Sequence, residues 1–126
     1  MHPFRTAVES GRFDTIGELF AEDAVLHSPI AHHPYHGKDS IAMIVSAVAN
    51  TLNDFRFTTE MRGEHDGDHA LMFDATVDGL QIQGCDFVHT RADGLIATIT
   101  VMLRPLKAVS VFADKMRTEL ADVGTD

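Results

Sequence analysis

Three Asp-Gly pairs, Asp66-Gly67, Asp78-Gly79 and Asp93-Gly94, punctuate the second half of this 126-residue chain, each between runs of alternating apolar and polar residues. Both residues tolerate the positive φ that tight hairpin turns demand, so Asp-Gly between such runs is a strong hairpin signal. Four runs joined by three such turns predict an antiparallel meander. In the first, Phe55, Phe57, Thr59 and Met61 alternate with Arg56, Thr58, Glu60 and Arg62. In the second, Leu71, Phe73, Ala75 and Val77 alternate with Met72, Asp74, Thr76 and Asp78. The third sets Leu80, Ile82, Gly84, Asp86 and Val88 on one face, and the fourth Leu95, Ala97, Ile99, Val101 and Leu103. A period of two places alternate side chains on opposite faces of a sheet.

The first half has a longer period. Pro3 suits a first helical turn, Phe4, Ala7 and Val8 share a face, and Gly11 stops the segment. Phe13, Ile16, Leu19 and Phe20 form a second short helical stripe, and Ala24 to Ser28 reads as a strand ended by Pro29. A polar loop, residues 32–37, leads into a helix marked by Ile41, Ile44, Val45, Val48 and Leu52. Beyond Pro105, the spacing of Leu106, Val109, Ala113, Met116 and Leu120 predicts a closing amphipathic helix, and residues 122–126 read as a frayed tail. Helices followed by a meander and one more helix define the α+β class, with the helices on one face of the sheet. No repeat or linker divides the chain, so one domain spanning 1–126 is expected.

Ten basic against nineteen acidic residues leave a formal charge of −9. Such a surface repels phosphate backbones and anionic lipid, so neither nucleic acid nor membrane is an expected partner. No apolar run resembles a signal peptide or is long enough to span a bilayer, and the single cysteine, Cys85, makes no internal disulfide. A cytoplasmic location is the expectation. His27, His32, His33 and His36 crowd into ten residues, but without metal-ligand spacing or a companion Cys or Glu in the loop. Neither a metal nor a cofactor is therefore expected.

The segment Leu19-Phe20-Ala21-Glu22-Asp23-Ala24-Val25-Leu26-His27-Ser28-Pro29, then Gly37 and the meander, resembles the nuclear transport factor 2-like superfamily. Within it the chain is most similar to SnoaL-like polyketide cyclases and ketosteroid isomerase. The stretch Thr100-Val101-Met102-Leu103-Arg104-Pro105-Leu106 resembles a group of uncharacterised SnoaL-like proteins. The resemblance implies a cone-shaped curved antiparallel sheet packed on about three N-terminal helices, with a C-terminal helix: a cystatin-like α+β barrel around a deep pocket, often dimeric through the sheet. Set against ketosteroid isomerase, the general-base aspartate falls on Ser28 and the oxyanion tyrosine near Phe4. Its second oxyanion donor, an aspartic acid kept neutral by an apolar site, falls on Asp86.

Strand parity points to the same aspartate independently. Asp86 shares a face with Leu80, Ile82 and Val88, and a carboxyl there must be paired, hydrogen-bonded or protonated. Asp86 is accordingly the first catalytic candidate, with His32 or His36 moving protons at the pocket mouth. Ser28, Phe55, Phe57, Leu71, Phe73, Ile99 and Val101 are the expected pocket wall. Ser28 and His27 are strand neighbours facing opposite ways, so they form no nucleophile–base pair with each other. The expected function is a site for a small apolar molecule, with isomerase- or cyclase-type acid/base chemistry at a carbonyl or enol. The alternative is a non-catalytic dimeric binding or regulatory module with a vestigial pocket. Ile96, Thr98, Thr100 and Met102, beside Cys85 and Phe87, form the weakly polar outer band through which a homodimer would pack.

Overall fold

The computed structural model describes residues 1–121, so the tail expected at 122–126 lies outside the described residues. It opens with α1 (Pro3–Glu9), a 3₁₀ turn (Ile16–Leu19), β1 (Phe20–His27), β2 (Tyr35–His36) and α2 (Lys38–Thr51). The meander follows as β3 (Asn53–Arg62), β4 (Asp68–Val77), β5 (Leu80–Thr90) and β6 (Ile96–Arg104), and α3 (Leu106–Glu119) closes it. Together these make an α+β fold with a curved, unclosed six-stranded sheet. Among the described residues no helix is long and apolar enough to cross a membrane.

The Asp-Gly turns form where their chemistry allows. Asp78 and Gly79 both hold positive φ between directly paired β4 and β5, and Gly67 and Gly94 do so at the other two joints. The strand order is β2-β1-β6-β5-β4-β3. Two features depart from a simple meander: β1 joins the sheet parallel to β6, and the short β2 extends its edge from inside the loop 32–37. The segment read as a second helix is only a 3₁₀ turn, and Phe20 already belongs to β1. Phe20 is 2% exposed, so its place in the apolar stripe marked burial in the core, not helical conformation.

Bulges bend the sheet and change which residues face inward. In β3 the register shifts between Phe57 and Thr59, so Glu60 pairs with inward-facing Leu71 while Met61, expected on the apolar face, is 49% exposed. In β6 the register shifts by one residue where Thr90 pairs with Ile96 and His89 with Thr98. Ile96, expected on the outer band, is therefore buried in the core at 2% exposure. A bulge adds one residue to one strand and reverses the parity beyond it, which simple alternation cannot register. In the middle of β5, Gly84 lets the sheet close inward: a Cβ there would lie within 3 Å of the Phe73 and Leu103 side chains.

The helices cover the concave face. Ile41, Ile44 and Ala47 of α2 and Ala108, Phe112 and Met116 of α3 are buried there. The stripe on α3 is thus rotated from the expected one, and Leu106 stands 82% exposed. Three aromatic rings of β3 and β4 form a cluster. Phe55 stacks on Phe73 at 4.7 Å and meets Phe57 edge-on at 4.9 Å.

Candidate functional site

Between the sheet and the helices lies a cavity of about 300 Å³, at the lower end of the range for small-molecule sites. β3 and β4 supply Phe55, Phe57 and Phe73, and β6 supplies Ile99, Val101 and Leu103. The opposite wall is helical: Phe4 and Val8 of α1, Ile44 and Val48 of α2, Phe112 and Met116 of α3. Of the described side chains lining it, only those of Glu9, Ser28 and Asp86 carry oxygen.

Asp86 belongs to the cavity floor. It sits in mid-β5, paired with Leu71 on one side and Val101 on the other, and is 7% exposed. Among the described residues none donates a hydrogen bond to its carboxyl, and burial alone pushes its pKa up to about 7. A carboxylate stripped of water and given no donor is costly, whereas the protonated acid is tolerated and can itself donate. Near neutral pH the group therefore exists substantially as the acid, facing apolar space in which no described residue is a partner for its proton.

Ser28 follows the end of β1 and lines the same cavity, and its hydroxyl oxygen accepts the Ile30 amide at 3.2 Å across Pro29. That bond braces the turn. A hydroxyl has no basicity at neutral pH to remove a proton from carbon, so the position offers no base. Glu9, at the exposed end of α1, is the third oxygen-bearing side chain and is paired with Arg5 at 3.1 Å.

The structure brings together Asp86, Ser28, Phe55, Phe57, Phe73, Ile99 and Val101 around one space. Three candidates fall outside it. Leu71 points inward but is wholly buried in the core, covered by its neighbours, and does not reach the cavity. His32 and His36 are exposed and do not line the cavity; His32 instead packs edge-on against His33 with ring centroids 5.1 Å apart. A loop beside Pro and Gly placed them in solvent, and the short pairing of β2 with β1 holds His36 at the sheet edge. Among the described residues no group of three or more His, Cys, Asp or Glu converges as a metal site. The helical half of the wall was legible as apolar faces, but not as cavity lining, because only packing decides which part of a face is left uncovered.

The model of the SnoaL-like domain family matches residues 2–99. A steroid delta-isomerase from Pseudomonas aeruginosa is similar in structure with a TM-score of 0.85 and 25% identity, over 98% of this chain and 96% of that one. An uncharacterized bacterial protein with a cystatin-like fold, from Silicibacter pomeroyi DSS-3, has a TM-score of 0.87 and 30% identity over 96% of this chain and 87% of that one. A protein from Catenulispora acidiphila DSM 44928 with a ketosteroid isomerase-like fold reaches a TM-score of 0.64 at 13% identity, over 88% of each chain, and supports the fold alone. No curated protein matches the sequence. With this match and the cystatin-like architecture, the chain belongs to the SnoaL-like domain family, within the nuclear transport factor 2-like superfamily.

Proposed function

We propose that the chain binds a small, largely apolar molecule bearing a carbonyl, enol or phenol oxygen, and that neutral Asp86 donates a hydrogen bond to that oxygen. The observation that carries this reading is the Asp86 carboxyl itself: buried, without a donor among the described residues, and lining an apolar cavity. A buried polar group without a protein partner is retained at a cost, and cavities are where such costs serve ligands. A hydrogen bond to a developing enolate from a dry, fixed donor stabilises negative charge far more than the same bond in water. That is the half-reaction an isomerase or cyclase of this fold needs. The other half, a base for the carbon-bound proton, is absent at Ser28, so the proposal places recognition and oxygen polarisation here ahead of turnover.

Titration with 2-naphthol, an apolar phenol, tests the reading. Wild type should bind it at pH 6, and Asp86→Leu should bind it at least about tenfold more weakly, the value of one lost hydrogen bond. Equal affinity in both proteins, or none in wild type, ends the proposal.

The second reading, a dimeric binding module, is favoured by the outer sheet face. Phe87 and Met102 are 44% and 58% exposed there, and Cys85 pairs with Met102 across β5 and β6. With Ile96 buried, the band is narrowed to Thr98, Thr100, Met102, Cys85 and Phe87. A two-fold contact would bury Phe87 and Met102 twice over, and Met102→Asp would set like charges across the axis. Light scattering should show wild type as a dimer and Met102→Asp shifted toward monomer. A wild-type monomer at about 100 µM, a concentration at which an interface of ordinary affinity is saturated, would remove this reading.

A further inference from the structure

Helix α1 supplies Phe4, Val8 and Glu9 to the cavity wall, yet it has only seven residues and would not persist as a helix without its docking contacts. Much of that docking is polar and converges on His2, which is 6% exposed. The His2 amide donates to Glu60 Oε2 at 2.9 Å, so β3 holds the start of the helix. Glu60 is available only because the bulge after Phe57 turns it to the concave side. The His2 ring then works at both nitrogens: Nδ1 accepts the Phe4 amide at 3.0 Å as the helix N-cap, and Nε2 lies 2.9 Å from Thr90 Oγ1 on β5.

These contacts determine the protonation state. An amide hydrogen aimed at Nδ1 requires a lone pair there, so the neutral ring carries its proton on Nε2 and donates it to Thr90. A second proton can go only to Nδ1, where it would face the Phe4 N–H and destroy the cap. Charged and titratable neighbours come from every side. The His69 ring of β4 stands 4.9 Å away edge-on, the Glu60 carboxylate approaches from β3, and Arg5 of α1 reaches toward that carboxylate. Burial first, then His69, holds His2 below the usual histidine value; Glu60 opposes this and the chain's terminal ammonium adds to it. The closure is also imperfect. Arg5 Nη1 stays 3.6 Å from Glu60 Oε1, and that buried oxygen has no hydrogen bond among the described residues.

We infer that α1 is a lid over the cavity, latched shut by neutral His2 and released on acidification when that ring takes a proton at Nδ1. The undocked helix leaves His2 free to titrate normally, so the docked state is fully favoured above the ordinary histidine range and loses ground as pH falls through it. Release would lift Phe4 and Val8 off the cavity together, since both ride on the same two turns. The lid motion stands on the contacts above; its consequence for a ligand rests on the pocket proposed earlier.

Amide hydrogen exchange separates the two. In wild type, protection factors for Phe4 to Val8 should fall by about threefold or more between pH 7.5 and pH 5, relative to β4 and β5. His2→Asn keeps a cap acceptor that does not titrate, and should abolish that pH dependence. Long-range proton–nitrogen correlation on wild type, which needs no variant to fold, should show His2 Nδ1 unprotonated at pH 7.5. A protonated Nδ1, or the same α1 pH dependence in His2→Asn, overturns the latch. Dissociation of 2-naphthol at pH 5 should be faster from wild type than from His2→Asn, and equal rates overturn the gating. If α1 loosens as expected but naphthol binds at neither pH, the lid stands and the pocket reading fails.

Discussion

Replacing Asp86 by leucine is expected to stabilise the folded protein strongly at pH 8 and hardly at all, beyond a pH-independent packing change, at pH 3.5. In the unfolded chain the carboxyl ionises near 3.8, whereas in the folded protein burial raises this to about 7. Between those values unfolding releases a proton, so wild-type stability falls as pH rises through the window and levels off above about 7. The span from 3.8 to about 7, at about 1.4 kcal/mol per pH unit, corresponds to about 4 kcal/mol lost at alkaline pH. Asp86→Leu abolishes that pH-dependent loss. For a chain of this size about 4 kcal/mol is on the order of 10–15 °C in melting temperature. Asp86→Asn, nearly the same shape, should gain less, because its amide is left without a partner at a cost of about 1–3 kcal/mol. Urea unfolding of the three proteins at pH 3.5 and pH 8 measures the effect. A wild-type-to-leucine difference that is the same at both pH values would show that Asp86 ionises normally, and with it the neutral donor would be lost. A substitution that stabilises by removing a charged group marks a residue kept for something other than folding.

Ser28→Asp is the second substitution with a large expected effect, this time on chemistry. Ser28, just past the end of β1, and Asp86, in mid-β5, both line the cavity. Wild type, lacking a base there, should convert a β,γ-unsaturated cyclic ketone to its conjugated isomer at no more than trace rate. An ionised carboxylate at position 28 supplies a group that takes the proton from carbon while Asp86 holds the oxygen. A positioned base contributes about 100-fold to 10,000-fold, so an increase of at least about 100-fold is expected. The double substitution Ser28→Asp, Asp86→Leu should return to the wild-type level, because an enolate formed without its donor finds no stabilisation in an apolar cavity. Ultraviolet absorbance of the conjugated product follows the reaction directly. Equal rates in the single and double variants would show that Asp86 takes no part, and an unchanged rate in Ser28→Asp would show that positions 28 and 86 do not address one substrate.

The same geometry explains why the two carboxyl-derived roles differ. Asp86 is enclosed by β4, β6 and the helices, so its charge is suppressed. Position 28 follows the end of β1 beside Pro29 and Ile30, partly exposed, where a carboxylate would keep enough water to ionise. One fold thus offers an acid environment and a base environment on one cavity wall, and this chain fills only the first with a titratable group.

Local chemistry determined much of this protein from the sequence alone. Asp78-Gly79 set a hairpin because both residues accept positive φ, and the alternation along β4 and β5 placed Leu71, Phe73, Ile82, Asp86 and Val88 inward, since no bulge interrupts that pair. Asp86 was therefore legible as a buried acid. Where a bulge intervened the reading failed: Ile96 turned inward, Met61 outward, and Glu60 came to the concave side as an anchor that no alternation pattern announces. The parallel pairing of β1 with β6 and the burial of His2 against Glu60 and Thr90 join residues far apart along the chain. Periodicity carries information about neighbours a few residues away, so such contacts left no trace in it. The cavity is the extreme case. It is space that side chains from β3, β4, β5, β6 and the three helices fail to fill, and only the assembled packing decides where apolar surface is left uncovered and that the buried Asp86 carboxyl borders it.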